Sequence, residues 1–141
     1  MSETVLNYGL DTSALLRILT GEPSSLAVKC ALRIQSIFKS GGTVSISDLV
    51  VSEAYYALQF HYQKPKEAAL EAFRTLFSTQ GFECSEAVRD ALATKDLAHA
   101  NPGFADRVIA GDYLARGRIT LSCEKSFRRL QSTEVIRDAD V

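Results

Sequence analysis

Apolar and polar residues fall into blocks along the chain, and their spacing switches between strand-like and helix-like. A short apolar stretch, Thr4 to Leu10, ends at Asp11 and predicts a first strand, weakened in its interior by Asn7 and Gly9. From Thr12 to Leu19 the period is helical, with Leu15, Leu16 and Leu19 on one side and Gly21 just past the end. Pro23-Ser24-Ser25 opens a second helix that carries Leu26, Cys30, Ile34, Ile37 and Phe38 and stops at Gly41-Gly42. Thr43 to Ile46 is a β-branched run, and Ser47-Asp48 then caps a long helix to about Tyr62. Pro65 starts the next helix, ahead of Ala68, Ala69, Ala72, Phe73 and Leu76. Gly81 to Cys84 predicts a short strand, and Ser85 begins a helix reaching about Ala98. Asn101-Pro102-Gly103 is a turn, followed by a helix to Ala115 that Gly117 ends. Arg118 to Cys123 and Thr133 to Ile136 predict the last two strands. Strands alternating with helices over short loops imply an α/β fold, with a parallel sheet covered on both faces and a ligand site off the strand carboxyl ends.

Length and composition narrow the class. The 141 residues fit one domain, spanning 1–141, large enough to bury roughly 65–70% of the surface its unfolded chain exposes. With 46% hydrophobic and 23% charged residues, the chain has ample apolar surface to offset chain entropy, which excludes a disordered protein. Sixteen Lys and Arg against 17 Asp and Glu give a net charge of −1, which excludes binding nucleic acid through one large positive field. Cys30, Cys84 and Cys123 are odd in number and widely spaced, so they make neither a disulfide framework nor a CxxC zinc site. The start, Met1-Ser2-Glu3-Thr4, has no basic leader region, and every apolar run breaks well short of the ~18 residues that a membrane span needs. These features predict a cytoplasmic protein.

The acids draw attention next. Glu53 has Leu49, Ala57 and Phe60 at i−4, i+4 and i+7, which places it in an apolar stripe expected to face the core. Asp106 is similar, with Ile109, Ala110 and Tyr113 at i+3, i+4 and i+7. A carboxylate in such a position costs several kcal/mol unless a cation compensates it. Asp11 closes the first strand and Glu124 follows the strand ending at Cys123, so all four acids are expected to converge at one sheet edge. Each also has a plainer reading. Asp11 and Asp106 suit helix N-caps or first turns. Glu53 suits a salt bridge to a buried Arg or a reach to solvent, and Glu124 suits a turn. As a cluster, the four need a counter-charge, and an oxygen-only donor set selects Mg²⁺ or Mn²⁺. No HExxH, CxxC or close His pair offers a rival zinc site.

Four stretches together resemble a known family. They are Leu10-Asp11-Thr12-Ser13-Ala14-Leu15-Leu16, Ser47-Asp48-Leu49-Val50-Val51-Ser52-Glu53, Gly103-Phe104-Ala105-Asp106-Arg107-Val108-Ile109-Ala110 and Leu121-Ser122-Cys123-Glu124-Lys125-Ser126-Phe127. In order and interval they are similar to the PIN domain, and within it to the VapC-type toxins of bacterial toxin–antitoxin pairs. The resemblance implies a three-layer fold with a central, mostly parallel sheet of four to five strands and helices on both faces. It also implies a Mg²⁺- or Mn²⁺-dependent ribonuclease, the toxin of a type II pair, with a small antitoxin partner and a homodimeric state.

Carried over by position, Asp11, Glu53 and Asp106 match the family's most regular acids, and Ser13 matches a small hydroxyl position. Glu124 stands where the family usually has Asp, and Ser126 where a second Asp often appears. Those two departures leave open one metal or two, and support an alternative: a catalytically weakened PIN-like domain that binds RNA or protein. In the ribonuclease reading, Asp11, Glu53, Asp106 and Glu124 hold the metal, and Ser13 and Ser122 orient a ligand carboxylate or water. Arg17, Arg107 and Lys125 are candidate phosphate contacts, with Arg128 and Arg129 close by in sequence; their plainer reading is a solvated face. His61 and His99 belong to no recognisable triad. Setting the four site acids aside, 17 less 4 leaves 13 acids against 16 bases, so the remainder of the chain is mildly basic.

Overall fold

The computed structural model describes residues 6–137. The opening residues of the expected first strand, Thr4 and Val5, lie outside the described residues. The chain divides into two compact units, Met1–Cys84 and Ser85–Val141, although no linker composition marks the boundary.

The first unit is built on three two-residue strands, β1 (Tyr8–Gly9), β2 (Val44–Ser45) and β3 (Phe82–Glu83). They pair in parallel in the order β1-β2-β3, with Tyr8 opposite Val44 and Val44 opposite Phe82. Parallel neighbours need a crossover, and here each crossover is a pair of helices. Helices α1 (Thr12–Thr20) and α2 (Ser24–Lys39) join β1 to β2; α3 (Asp48–Phe60) and α4 (Lys66–Ser78) join β2 to β3. The expected stop signals operate. Gly21 takes φ 70° and its N–H donates to the Arg17 carbonyl, closing α1. The Ser47 hydroxyl accepts from the Val50 amide at 3.3 Å, starting α3. Helix α1 packs on α2 and α3, and α3 packs on α4, around Leu15, Val44, Val51, Leu70 and Phe73, all fully buried. Which residues of each helix face inward was only partly foreseen. In α2 the buried side chains are Ala27, Ile34 and Ile37, while Leu26 is exposed.

The second unit contains α5 (Glu86–Leu92), a 3-10 turn (Leu97–His99), α6 (Phe104–Ala115), β4 (Thr120–Ser122), a second 3-10 turn (Lys125–Arg129) and β5 (Thr133–Val135). Strands β4 and β5 pair in parallel, Thr120 opposite Thr133. Helices α5 and α6 pack face to face at small residues: a methyl group added to Gly111 would lie 3.1 Å from the Ala87 Cβ. Ser85 caps α5 as expected, its hydroxyl accepting from the Val88 amide. The helix then ends several residues earlier than the periodicity predicts. Asp96 turns to φ 53°, a left-handed conformation that a continuing helix cannot contain, and the chain resumes as the 3-10 turn.

The α/β class and parallel pairing are therefore as the sequence implies, with five strands among the described residues. They form two ladders, of three and two strands. Cys30, Cys84 and Cys123 form no disulfide, and no described helix is long and apolar enough to cross a membrane.

Gly81 gives the sharpest test of this packing. It sits at φ +105° directly before β3, and an added Cβ would lie 2.6 Å from the Phe38 ring. Gly81→Ala should lower stability by at least about 2 kcal/mol, combining backbone strain with overpacking. A fall in the urea midpoint at unchanged m-value is the expected reading.

Candidate metal-binding acids

Asp11 is positioned by the first β–α junction. The β1–β2 pairing runs on past the strand, the Leu10 amide donating to the Ser45 carbonyl, and Asp11 then becomes the N-cap of α1. Its Oδ1 accepts from the Ala14 amide at 2.9 Å and from the Ser13 hydroxyl at 2.8 Å. These donors hold the carboxyl below its usual range, the Ala14 amide contributing most. Both the capping reading and the site reading of Asp11 are thereby compatible, because the Ala14 amide and the Ser13 hydroxyl both fall on Oδ1. Among the described residues Oδ2 accepts no hydrogen bond. The Ser13 hydroxyl thus fixes the orientation of the Asp11 carboxyl.

Glu53 lies in α3, which begins off the carboxyl end of β2, beside β1. Its Oε2 accepts from the Thr12 hydroxyl at 3.1 Å, so the residue after Asp11 ties Glu53 to the start of α1. Thr12 was not singled out in the sequence analysis, and its place next to the first acid was the available signal. The expectation that Glu53 lies in a core-facing stripe is corrected. Leu49 and Phe60 are 69% and 76% exposed, and Glu53 is exposed with them. The buried side of α3 is instead Val51, Ala54, Tyr55 and Leu58. Both sides of this helix are apolar, and the sequence alone did not tell them apart. Glu53 thus needs no buried Arg to compensate it.

In the second unit, Asp106 occupies the first turn of α6, where Gly103 provides no capping side chain. It is half-buried, and its carboxyl is pushed above the usual range, first by burial and then by the negative charge of Glu124. The stripe expected around it is divided: Ala110 is buried, while Ile109 and Tyr113 are about half exposed. Glu124 is exposed and follows the carboxyl end of β4, its amide donating to the Ser122 hydroxyl at 3.0 Å. Ser122 therefore shapes the turn that carries Glu124.

The structure thus brings Glu53 to the Thr12–Ser13 turn beside Asp11 in one unit, and sets Glu124 within electrostatic reach of Asp106 in the other. Among the described residues none of the four acids forms an ion pair, and no three His, Cys, Asp or Glu side chains gather into one group. Of the candidate cations, Arg17 donates from Nη2 to the Tyr62 hydroxyl at 2.9 Å, and its Nε is buried without a partner. Arg107 donates from Nε to the Pro102 carbonyl at 2.7 Å, and Lys125 is exposed on the 3-10 turn after Glu124. His99 pairs with Asp96 on the surface, and His61 is exposed at the end of α3.

Two opposite pH effects follow. Asp106, raised in the folded state, supports stability below its ordinary pKa, and that support is lost as pH rises through the folded value. Asp11, lowered in the folded state, supports stability above its ordinary pKa, lost as pH falls through the folded value. Urea unfolding of metal-free protein across pH 3–7 should therefore show Asp106→Asn gaining on wild type as pH rises, and Asp11→Asn losing ground.

The model of the PIN domain matches residues 8–132, running through both units. No curated protein shows significant similarity. Among solved structures the chain is similar to one from the crystal structure of VapBC2 from Rickettsia felis bound to a DNA fragment from their promoter. The identity is 20% and the TM-score 0.38, with 94% of this chain and 98% of that one covered. The match to the family model spans all four acids and most of the chain: it belongs to the PIN domain family.

Proposed function

We propose that this PIN domain, residues 1–141 taken as one domain, is a Mg²⁺- or Mn²⁺-dependent endoribonuclease. It would act as the toxin of a type II toxin–antitoxin pair in the cytoplasm, as a homodimer controlled by a small antitoxin. PIN domains are in general divalent-metal nucleases, and the four acids supply oxygen donors of the kind such a metal takes. The observation that carries the reading is the state of Asp106. It is a half-buried carboxyl facing a second carboxylate, with no cation paired to either among the described residues. A cation held between two such carboxylates would offset their repulsion, and oxygen donors select a hard one.

Asp11, Glu53, Asp106 and Glu124 would hold the metal. Bound there, it would supply a water of lowered pKa and offset charge on the attacked phosphate. The chain's own residues do the rest. Ser13 fixes the Asp11 carboxylate with Oδ2 left open, and Thr12 holds Glu53 by one oxygen. Ser122 sets the turn that presents Glu124. Arg17, Arg107 and Lys125 are the proposed phosphate contacts of the RNA substrate.

The decisive experiment is cleavage of single-stranded RNA with Mn²⁺. Asp11→Asn and Asp106→Asn should each lower the rate by at least ~100-fold, and Ser13→Ala should weaken metal affinity by roughly 10–100-fold. Equal cutting by wild type and both Asn variants would sink the proposal. A second readout needs no substrate: Mn²⁺ at a hundred times its Kd should stabilise the wild type by about 2.7 kcal/mol, seen as a rise in Tm. Without that rise, and without cleavage, the weakened binding module is the better account; Glu124 and Ser126 are the departures that would explain it.

A further inference from the structure

The second unit contains a cavity that none of the four acids lines, with a volume of about 310 Å³. That is near the lower end for ligand pockets, ~300–1,000 Å³, and suits a ligand of nucleotide size. One wall is made of small residues, Ala87 and Ala91 of α5 and Gly111 of α6, where the two helices pack at close range. Arg107, Arg129 and Asp90 supply the charge.

The two arginines are held by one turn. Arg107 Nε donates to the Pro102 carbonyl at 2.7 Å, and Arg129 Nη1 donates to the Asn101 carbonyl at 2.6 Å. A guanidinium carries five N–H donors, so this tether fixes each group and leaves four donors on each without a partner among the described residues. Neither arginine has a carboxylate within ion-pair distance among the described residues. Two tethered guanidiniums without a carboxylate partner, lining one small cavity, suit a phosphate. Asp90 refines the assignment. A simple anion gains nothing from a carboxylate in the wall, whereas a nucleotide joins a phosphate to ribose hydroxyls and base amino groups that a carboxylate accepts.

We propose that this cavity is a nucleotide subsite for the RNA chain. Its phosphate lies on Arg107 and Arg129, and its ribose or base donates to Asp90. The inference rests on the ribonuclease reading and deepens it, by naming where substrate is held away from the acids. Successive helix residues point about 100° apart, so Asp106 and Arg107 address different sides of α6. In this proposal the subsite grips RNA away from the four acids, none of which lines the cavity.

The test is fluorescence anisotropy of full-length protein with a short, end-labelled, mixed-sequence single-stranded RNA in EDTA, where cleavage is off. Arg107→Gln and Arg129→Gln should each weaken binding about 10-fold, the loss of one charge-assisted contact. Each should also flatten the salt dependence by about 0.7 in log K against log salt. Thr94→Phe, which fills the cavity without touching either arginine tether, should weaken binding similarly and covers the case in which Arg129→Gln fails to fold. A nucleoside monophosphate should displace the RNA at concentrations where inorganic phosphate does not. Undiminished binding by Thr94→Phe and by the folded Arg variants would overturn the subsite and leave the ribonuclease reading intact. Equal displacement by inorganic phosphate would overturn the nucleotide assignment. A wild type that neither binds RNA in EDTA nor cuts it with Mn²⁺ would overturn both.

Discussion

The first unit depends on a main-chain ladder only two residues deep. Tyr8, Val44 and Phe82 stand side by side in parallel register, and each step between them spans two helices. A ladder this short contributes few hydrogen bonds, so the burial of Leu15, Val51, Leu70 and Phe73 against it supplies most of the stabilisation. What the ladder does supply is direction. Because β1 and β2 run the same way, α1 and α3 both begin off the same end of the sheet. The first acid and the helix bearing the second are presented there together.

The two units treat their carboxylates in opposite ways. Asp11 is open to solvent and is shifted downward by donors from its own turn, so the folded chain favours its charged form. Asp106 is shifted upward by burial and by a like-charged neighbour, so the folded chain resists its charged form. The first arrangement is an ordinary helix cap that happens to spare an oxygen. The second acid also suits the first turn of α6, where Gly103 brings no capping side chain, but burial and Glu124 work against its charge. A half-buried acid facing another acid is a local conflict, and such conflicts mark functional sites more often than structural ones.

Much of this was readable from the sequence, for identifiable reasons. Helix starts at Asp11, Ser47 and Ser85 and the stop at Gly21 rest on local chemistry that operates within a few residues, and each was found where expected. Features needing tertiary information were not. Helix α3 offers two apolar sides, Leu49 with Phe60 and Val51 with Leu58, and only packing against α1 and α4 decides which is buried. The end of α5 at Leu92, and the left-handed Asp96 that starts the 3-10 turn beyond it, are announced by no Gly or Pro. The Thr12–Glu53 bond spans 41 residues, and the tethering of Arg129 to Asn101 spans 28; neither leaves a periodic trace.

The unequal use of Asp11's two oxygens carries a consequence for how this chain tolerates change. A surface acid is ordinarily among the freest positions in a protein, since nothing packs on it. Here the exposed carboxyl also begins a helix, so a folding demand falls on a side chain that nothing packs against. Asparagine keeps an oxygen that can cap the helix; alanine does not. Variation at this position is thus constrained by the helix start alone, whatever else the carboxyl does.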